Sequence, residues 1–168
     1  MRTKPKINIR RAKISDALEI HTAHMRSIRE VCAMDYTSEQ IAAWGGRLFN
    51  ADNLKNNIDQ DVIWVVECNG RVQGFGHLKK TKVQSQETAF ILALYLAPEA
   101  LGVGAGQKIL NHLETQAKDW GFKEIYLEST LTSLGFYVKN GFNVTGPVTS
   151  CKINGTPIPC HPMKKFLV

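Results

Sequence analysis

The chain has 168 residues, 43% of them hydrophobic, which is enough for one domain with a packed core. Lysine and arginine exceed aspartate and glutamate by 21 to 15, a surplus of 6 that is scattered along the chain without a recognition-helix or zinc-finger pattern, so a nucleic-acid partner is not expected. No apolar run reaches the roughly 18 residues of a membrane span, and the basic residues 1–6 lack the apolar stretch of a signal peptide; no membrane partner and a cytoplasmic location are expected.

Residues 7–11 alternate as a strand, with Ile7 and Ile9 on one side. Ser15 is the expected N-cap of a helix through Ala17, Leu18, Ile20, His21, His24, Met25, Ile28 and Val31. Thr37, Ser38, Glu39 and Gln40 form a capping box for a second helix carrying Ile41 and Trp44, which Gly45 and Gly46 end or bend. Residues 52–58 offer a further helical turn or two. Residues 61–68 read as a strand, Asn69-Gly70 as a hairpin turn, and 72–80 as the returning strand. In that strand Gly74 and Gly76 predict a bulge or a close backbone approach. The polar stretch 81–86 reads as a loop, followed by a buried strand at 89–96 that Ala97-Pro98 closes.

Next come Leu101-Gly102-Val103-Gly104-Ala105-Gly106-Gln107, three glycines at alternate positions, and a helix on Ile109, Leu110, Leu113, Ala117 and Trp120. Glycine lets backbone approach a ligand closely, and the free N–H groups of a first helical turn attract anions. The segment therefore predicts a phosphate cradle. It lacks the Lys-Ser/Thr pair of a Walker loop, since Gln107 and Lys108 follow Gly106. It lacks the third glycine of a dinucleotide fingerprint, where Gln107 stands, and too little chain follows for a doubled βαβαβ unit. A strand at 124–129, a short helix at 133–140 and a hairpin of 143–151 with 158–167 about Asn154-Gly155 complete the order. Cys32, Cys68, Cys151 and Cys160 have no metal-finger spacing, so structural zinc is not expected. Cys151 and Cys160 flank the last turn, where a disulfide is conceivable.

Two segments carry a family resemblance. Leu94-Tyr95-Leu96-Ala97-Pro98 followed by Leu101-Gly102-Val103-Gly104-Ala105-Gly106 resembles the strand and pyrophosphate loop of the GNAT superfamily of acyl-CoA-dependent N-acetyltransferases. Phe136-Tyr137-Val138-Lys139-Asn140-Gly141-Phe142 resembles its second signature, and the likeness spans about residues 8 to 166. Three positions depart from the pattern: Leu101 replaces the usual Arg or Gln, Thr132 the usual Asn, and Gly135 the usual Pro.

The resemblance implies an α/β (α+β) fold, with a mixed central sheet whose splayed parallel strand pair is flanked by helices. It implies a single acetyltransferase domain over 1–168 and acetyl-CoA as cosubstrate, without a metal. Main-chain groups of Leu94, Tyr95 and Leu96 would hold the pantetheine arm. The amides of Leu101, Gly102, Val103, Gly104, Ala105, Gly106 and Gln107 would hold the pyrophosphate, with Thr132 as a further contact. Tyr137 would be the general acid, and the amide of Leu96 an oxyanion donor. For the base, Glu87 is placed best by sequence, with Glu128 and His77 as alternatives. Arg26, Arg29, Tyr36 and Trp44 on the first helices, with His77, are candidates for binding the acceptor. That acceptor would be a primary amine, on a small molecule or a protein, and the protein is expected to be a monomer or a homodimer. The rival is a non-catalytic acyl-CoA sensor on the same fold. His21 and His24, three apart, have metal-binding spacing but no third ligand.

Overall fold

The computed structural model describes residues 4–168, so residues 1–3 of the basic start lie outside the described residues. One mixed sheet runs through the molecule in the order β1-β2-β3-β4-β5-β8-β6, with β7 paired to β8. Its first half is an antiparallel meander of β1 (Ile7–Arg11), β2 (Val62–Cys68), β3 (Arg71–Val83) and β4 (Gln86–Leu96). The second half joins it through β5 (Glu124–Thr130), parallel to β4, with β6 (Asn143–Val144), β7 (Thr149–Ile153) and β8 (Thr156–Phe166) beyond. A crossover between parallel strands needs a helix to span the sheet; α4 (Ala105–Asp119) supplies it.

On α4, Ala105, Ile109, Leu110, Leu113 and Ala117 make a single buried face. That face packs on Val62, Leu78, Ala89, Ile91, Ile125 and Leu127, with Tyr137 of α5 (Leu134–Lys139) and Phe142 closing the same core. Leu113 and Ile109 are fully buried, each contributing about 1.5–3 kcal/mol. Gly76 makes the close approach possible: a Cβ there would lie 2.9 Å from Leu113 Cδ1. At Gly74 it would lie 2.6 Å from the carbonyl oxygen of Tyr95, so both glycines mark close approach. The opposite face is covered by α1 (Ala17–Arg26), α2 (Ser38–Gly45) and α3 (Asp52–Asn57), with Ile20 and Leu54 on Ile63, Val65 and Phe75.

Several expectations need correction. Residues 81–86 are not a loop: β3 and β4 run on to a two-residue turn at Gln84 and Ser85, whose φ values are 49° and 68°. Ser15 does not cap the first helix. Its start is a 3₁₀ turn (Ile14–Asp16) in which the Asp16 carboxylate accepts from the Lys13 amide at 2.7 Å. The same carboxylate takes two guanidinium N–H bonds from Arg10, which hold it below the usual carboxylate range despite burial. The helix does not continue regularly to Val31 but widens into a π turn over Ser27–Val31. The capping box forms: Thr37 Oγ1 accepts from the Gln40 amide, and Gln40 Oε1 from the Thr37 amide. In the tail, β6 is separate from β7. The Asn154-Gly155 turn sets Cys151 opposite Ile158 and Cys160 opposite Thr149, so the two cysteines are offset by two residues and both are free.

Candidate active site

The parallel β4–β5 pair holds for three positions only, Ala89 with Ile125, Phe90 with Tyr126 and Ile91 with Leu127. At the next residue the β3–β4 ladder slips: His77 faces Ala93 while Leu78 faces Ile91, leaving Leu92 as an extra residue on β4. A bulge of this kind bends its strand and ends pairing. From Leu92 onward β4 and β5 diverge, and a gap opens in mid-sheet.

The ladder determines which groups face that gap. The Ala97 amide donates to the Gln73 carbonyl at 2.7 Å, so Ala97 and Gln73 form a hydrogen-bonded pair. Such pairs alternate along antiparallel strands. Tyr95 with Phe75 and Ala93 with His77 therefore exchange bonds, whereas the main-chain groups of Leu94 and Leu96 point away from β3 into the gap. Of the three residues expected to offer backbone, Tyr95 has its own groups engaged.

The glycine segment follows at the end of β4. Gly102 and Gly104 have φ values of 71° and 84°, and nothing lies within 4 Å of a Cβ built at either. The first bond closing the helix is Lys108 N–H to Gly104 C=O at 3.2 Å. Ahead of it, the amides of Ala105, Gly106 and Gln107 have no helical acceptor. Leu101 differs: its amide donates to the Pro98 carbonyl, and its side chain is half-exposed. Val103 packs inward beside Ala105, and the Gln107 side chain turns along the helix to Asn111. Gly106 lies under the Phe136 ring, 3.2 Å from where its Cβ would be.

On the α1–α3 face the gap opens into a cavity of about 540 Å³. Tyr36, Trp44, Phe49, Phe75 and Tyr95 supply its aromatic wall. Tyr36 contributes its ring alone, because its hydroxyl donates to the Pro159 carbonyl at 2.8 Å and accepts from the Leu131 amide at 2.9 Å. Burial pushes that hydroxyl's pKa up to about 12. His24 packs against Tyr95 at 4.2 Å between ring centres. Loss of solvation, then the charge of Arg47, push His24 down to about 3, and the same two causes in the same order lower His21.

His77 also lines the cavity and is buried, with Nε2 2.7 Å from Asp61 Oδ2. Burial lowers its pKa and Asp61 opposes that shift, the net direction being down. A neutral imidazole bonded in this way carries its proton on Nε2 and leaves the Nδ1 lone pair free. Glu128 lines the β5 side, where the Cys160 thiol donates to it at 3.7 Å.

Tyr137 is buried among Phe136, Phe142 and the α4 core, and burial raises its pKa, keeping the hydroxyl protonated. Thr132 Oγ1 is buried beside the Cys32 thiol and has no hydrogen-bond partner among the described residues.

Three expected placements are corrected. Glu87 is exposed near the tip of the β3–β4 hairpin, opposite Lys82. Five strand residues, about 16 Å, separate it from the bulge, and it lies outside the cavity lining. Arg29 and Arg26 do not reach the cavity either: Arg29 Nε donates to the Gly45 carbonyl, and Arg26 pairs with Glu30 and Glu99. The arginine in the cavity is Arg47, just past the end of α2. Sequence reading missed it and Asp61, which sit in connecting segments where no periodicity marks a facing direction.

An open mixed sheet split between two parallel strands, with an amide-rich helix start below the split and an aromatic cavity beside it, defines a class of group-transfer proteins. The sequence profile of the Acetyltransferase (GNAT) family matches residues 21–142, well over half of the chain, and the chain belongs to that family. The uncharacterized N-acetyltransferase YjgM of Escherichia coli (strain K12) is 33% identical over 67 residues, which span 40% of this chain and 40% of YjgM. A GCN5-related N-acetyltransferase of Rhodopseudomonas palustris superposes with a TM-score of 0.83 at 22% identity, over 98% of this chain and 97% of that one. The PaiA N-acetyltransferase of Thermoplasma acidophilum, solved with coenzyme A, gives 0.76 at 25% identity, over 96% and 99%.

Proposed function

We propose that this protein transfers an acetyl group from acetyl-CoA to a primary amine by direct attack, without an acyl-enzyme. The observation that carries the reading is the bulge at Leu92. It leaves the backbone of Leu94 and Leu96 unpaired at a gap that joins the glycine-segment amides to the aromatic cavity. The residues present fit acetyl-CoA. Unpaired strand groups suit the amide-bearing pantetheine arm, and the amides of residues 102–107 suit a pyrophosphate. The free positions beside Gly102 and Gly104 give that anion room. The unpartnered Thr132 hydroxyl offers one further bond. When bound, the cosubstrate supplies an activated thioester.

His77 is the base in this reading. An aliphatic amine is mostly protonated at neutral pH and attacks only after losing a proton. His77, uncharged and with Nδ1 free, accepts it, while Asp61 fixes the tautomer and stabilises the resulting imidazolium. The Leu96 amide faces the negative charge that develops on the carbonyl oxygen. Tyr137 serves as the donor to the departing sulfur. Its raised pKa makes it a weaker acid than a tyrosine in water, so it stabilises the thiolate chiefly by hydrogen bonding.

Calorimetric titration with acetyl-CoA, comparing the wild type with Gly104→Trp, tests the reading. Binding by the wild type and loss in the variant is expected, followed by thiol release when amines are added. Binding without thiol release for any amine would make the protein a sensor, and no wild-type binding would end the assignment.

A further inference from the structure

Arg47 lines the cavity with little of its hydrogen-bonding capacity used. Its Nε donates to the Trp44 carbonyl at 3.0 Å, and Nη2 approaches His24 Nε2 at 3.4 Å. These two contacts fix the plane of the guanidinium. Among the described residues no carboxylate lies within ion-pairing distance of it, whereas Arg10 and Arg26 are each paired with two. The three histidines on the cavity wall, His21, His24 and His77, all have lowered pKa values. Arg47 is therefore the one standing positive charge among the described residues of the lining. A half-buried, oriented guanidinium with free donors at a cavity wall is a ready partner for an anion. Its planar donor fork matches a carboxylate with two parallel bonds. Among the described residues of the lining the single carboxylate, Glu128, belongs to β5 on the other side of the gap.

We propose that Arg47 binds a carboxylate of the acceptor, which makes the acceptor a small amino acid or a close relative with an apolar or aromatic body. This rests on the reading of the cavity as the acceptor side. The aromatic wall takes the body, Arg47 takes the carboxylate, and the amine is left toward His77 and the gap. At about 540 Å³ the cavity is of the size that encloses a small molecule. A protein N-terminus carries no carboxylate next to its amine and leaves Arg47 unmatched.

The test has a binding arm that needs no acetyl-CoA. The full chain is titrated by calorimetry with 3-phenylpropanoate and with its neutral isostere 3-phenylpropanamide. The wild type is expected to prefer the acid by about tenfold to a hundredfold, the range of a charge-assisted pair. Arg47→Gln is expected to bring that preference near one, and Arg47→Lys to retain part of it. Circular dichroism of each variant checks that it is folded. The activity arm compares phenylalanine with phenylalaninamide as acceptors by thiol release, with the same loss of preference expected in Arg47→Gln. Equal affinity of the wild type for acid and amide overturns the proposal, as does a preference that survives Arg47→Gln. A protein that prefers the acid but never releases thiol keeps the carboxylate site and loses the acetyltransferase reading, so the two failures are distinct.

Discussion

Asp61 governs which nitrogen of His77 is available, and three predictions belong to this scale. Replacing His77 with Gln is expected to lower turnover by about a hundredfold or more, the usual contribution of a positioned base. In the pH profile, activity rises as His77 loses its proton. Asp61 raises the His77 pKa against the effect of burial, so Asp61→Asn is expected to move the acid limb to lower pH and to reduce the plateau. An acid limb that stays in place would remove His77 from the mechanism. Tyr137→Phe is expected to cost about tenfold to a hundredfold in turnover while acetyl-CoA affinity, read by calorimetry, stays near wild type. The backbone shape of the glycine segment was legible, because a glycine pattern reports it directly, and Gly102 and Gly104 do take positive φ. Side chains were less so. Arg29 was expected at the acceptor site from its place on the first helix, but the π turn at Ser27–Val31 shifts the helix phase by one residue and turns Arg29 onto Gly45, while Arg47 lies beyond α2 where no periodicity marks it. Glu87 lies at the start of the right strand, and strand rise carries it well away from the bulge.

At the scale of elements, long periodic segments were readable and tight irregularities were not. The buried face of α4, the Thr37 capping box and the Asn69-Gly70 turn follow from residue types whose physics is local. The turn at Gln84 and Ser85 was hidden because neither residue favours positive φ, although both adopt it. That mismatch gives a prediction. Both-positive φ is the geometry that Asn-Gly serves best in a hairpin. Gln84→Asn with Ser85→Gly is expected to stabilise the protein by about 0.5–1 kcal/mol. A rise in the urea midpoint at unchanged slope would register it, and an unchanged or lowered midpoint would count against the turn geometry. The bulge at Leu92 had no sequence signal, since it depends on the register of two strands together.

For the whole molecule, acid sensitivity is the measurable consequence of burying histidines without charge. The folded pKa of His24 is about 3, against an ordinary value of 6.5. Between those values the unfolded chain binds a proton that the folded one refuses, so stability is full above about pH 6.5 and falls as pH drops toward 3. One such proton gives a slope of at most about 1.4 kcal/mol per pH unit. His24→Gln is expected to flatten the urea-derived stability profile between about pH 6 and 5, above the range where carboxylates with ordinary values of 3.8 and 4.5 take over. A profile with the wild-type slope would show that His24 is protonated in the folded state.

An ordinary open sheet has two borders, and each is a place where a foreign strand can add. This sheet has the usual two, on β1 and at the β6–β7 end, and beyond Leu92 two more face one another in its middle. The Leu94 and Leu96 amides, though they belong to a central strand, are therefore expected to exchange their hydrogens with solvent at the pace of a border strand. Without an extended occupant in the gap, the same groups are open to pairing with a neighbouring molecule. Under the proposed function, added acetyl-CoA is expected to slow aggregation on storage, which light scattering with and without it checks.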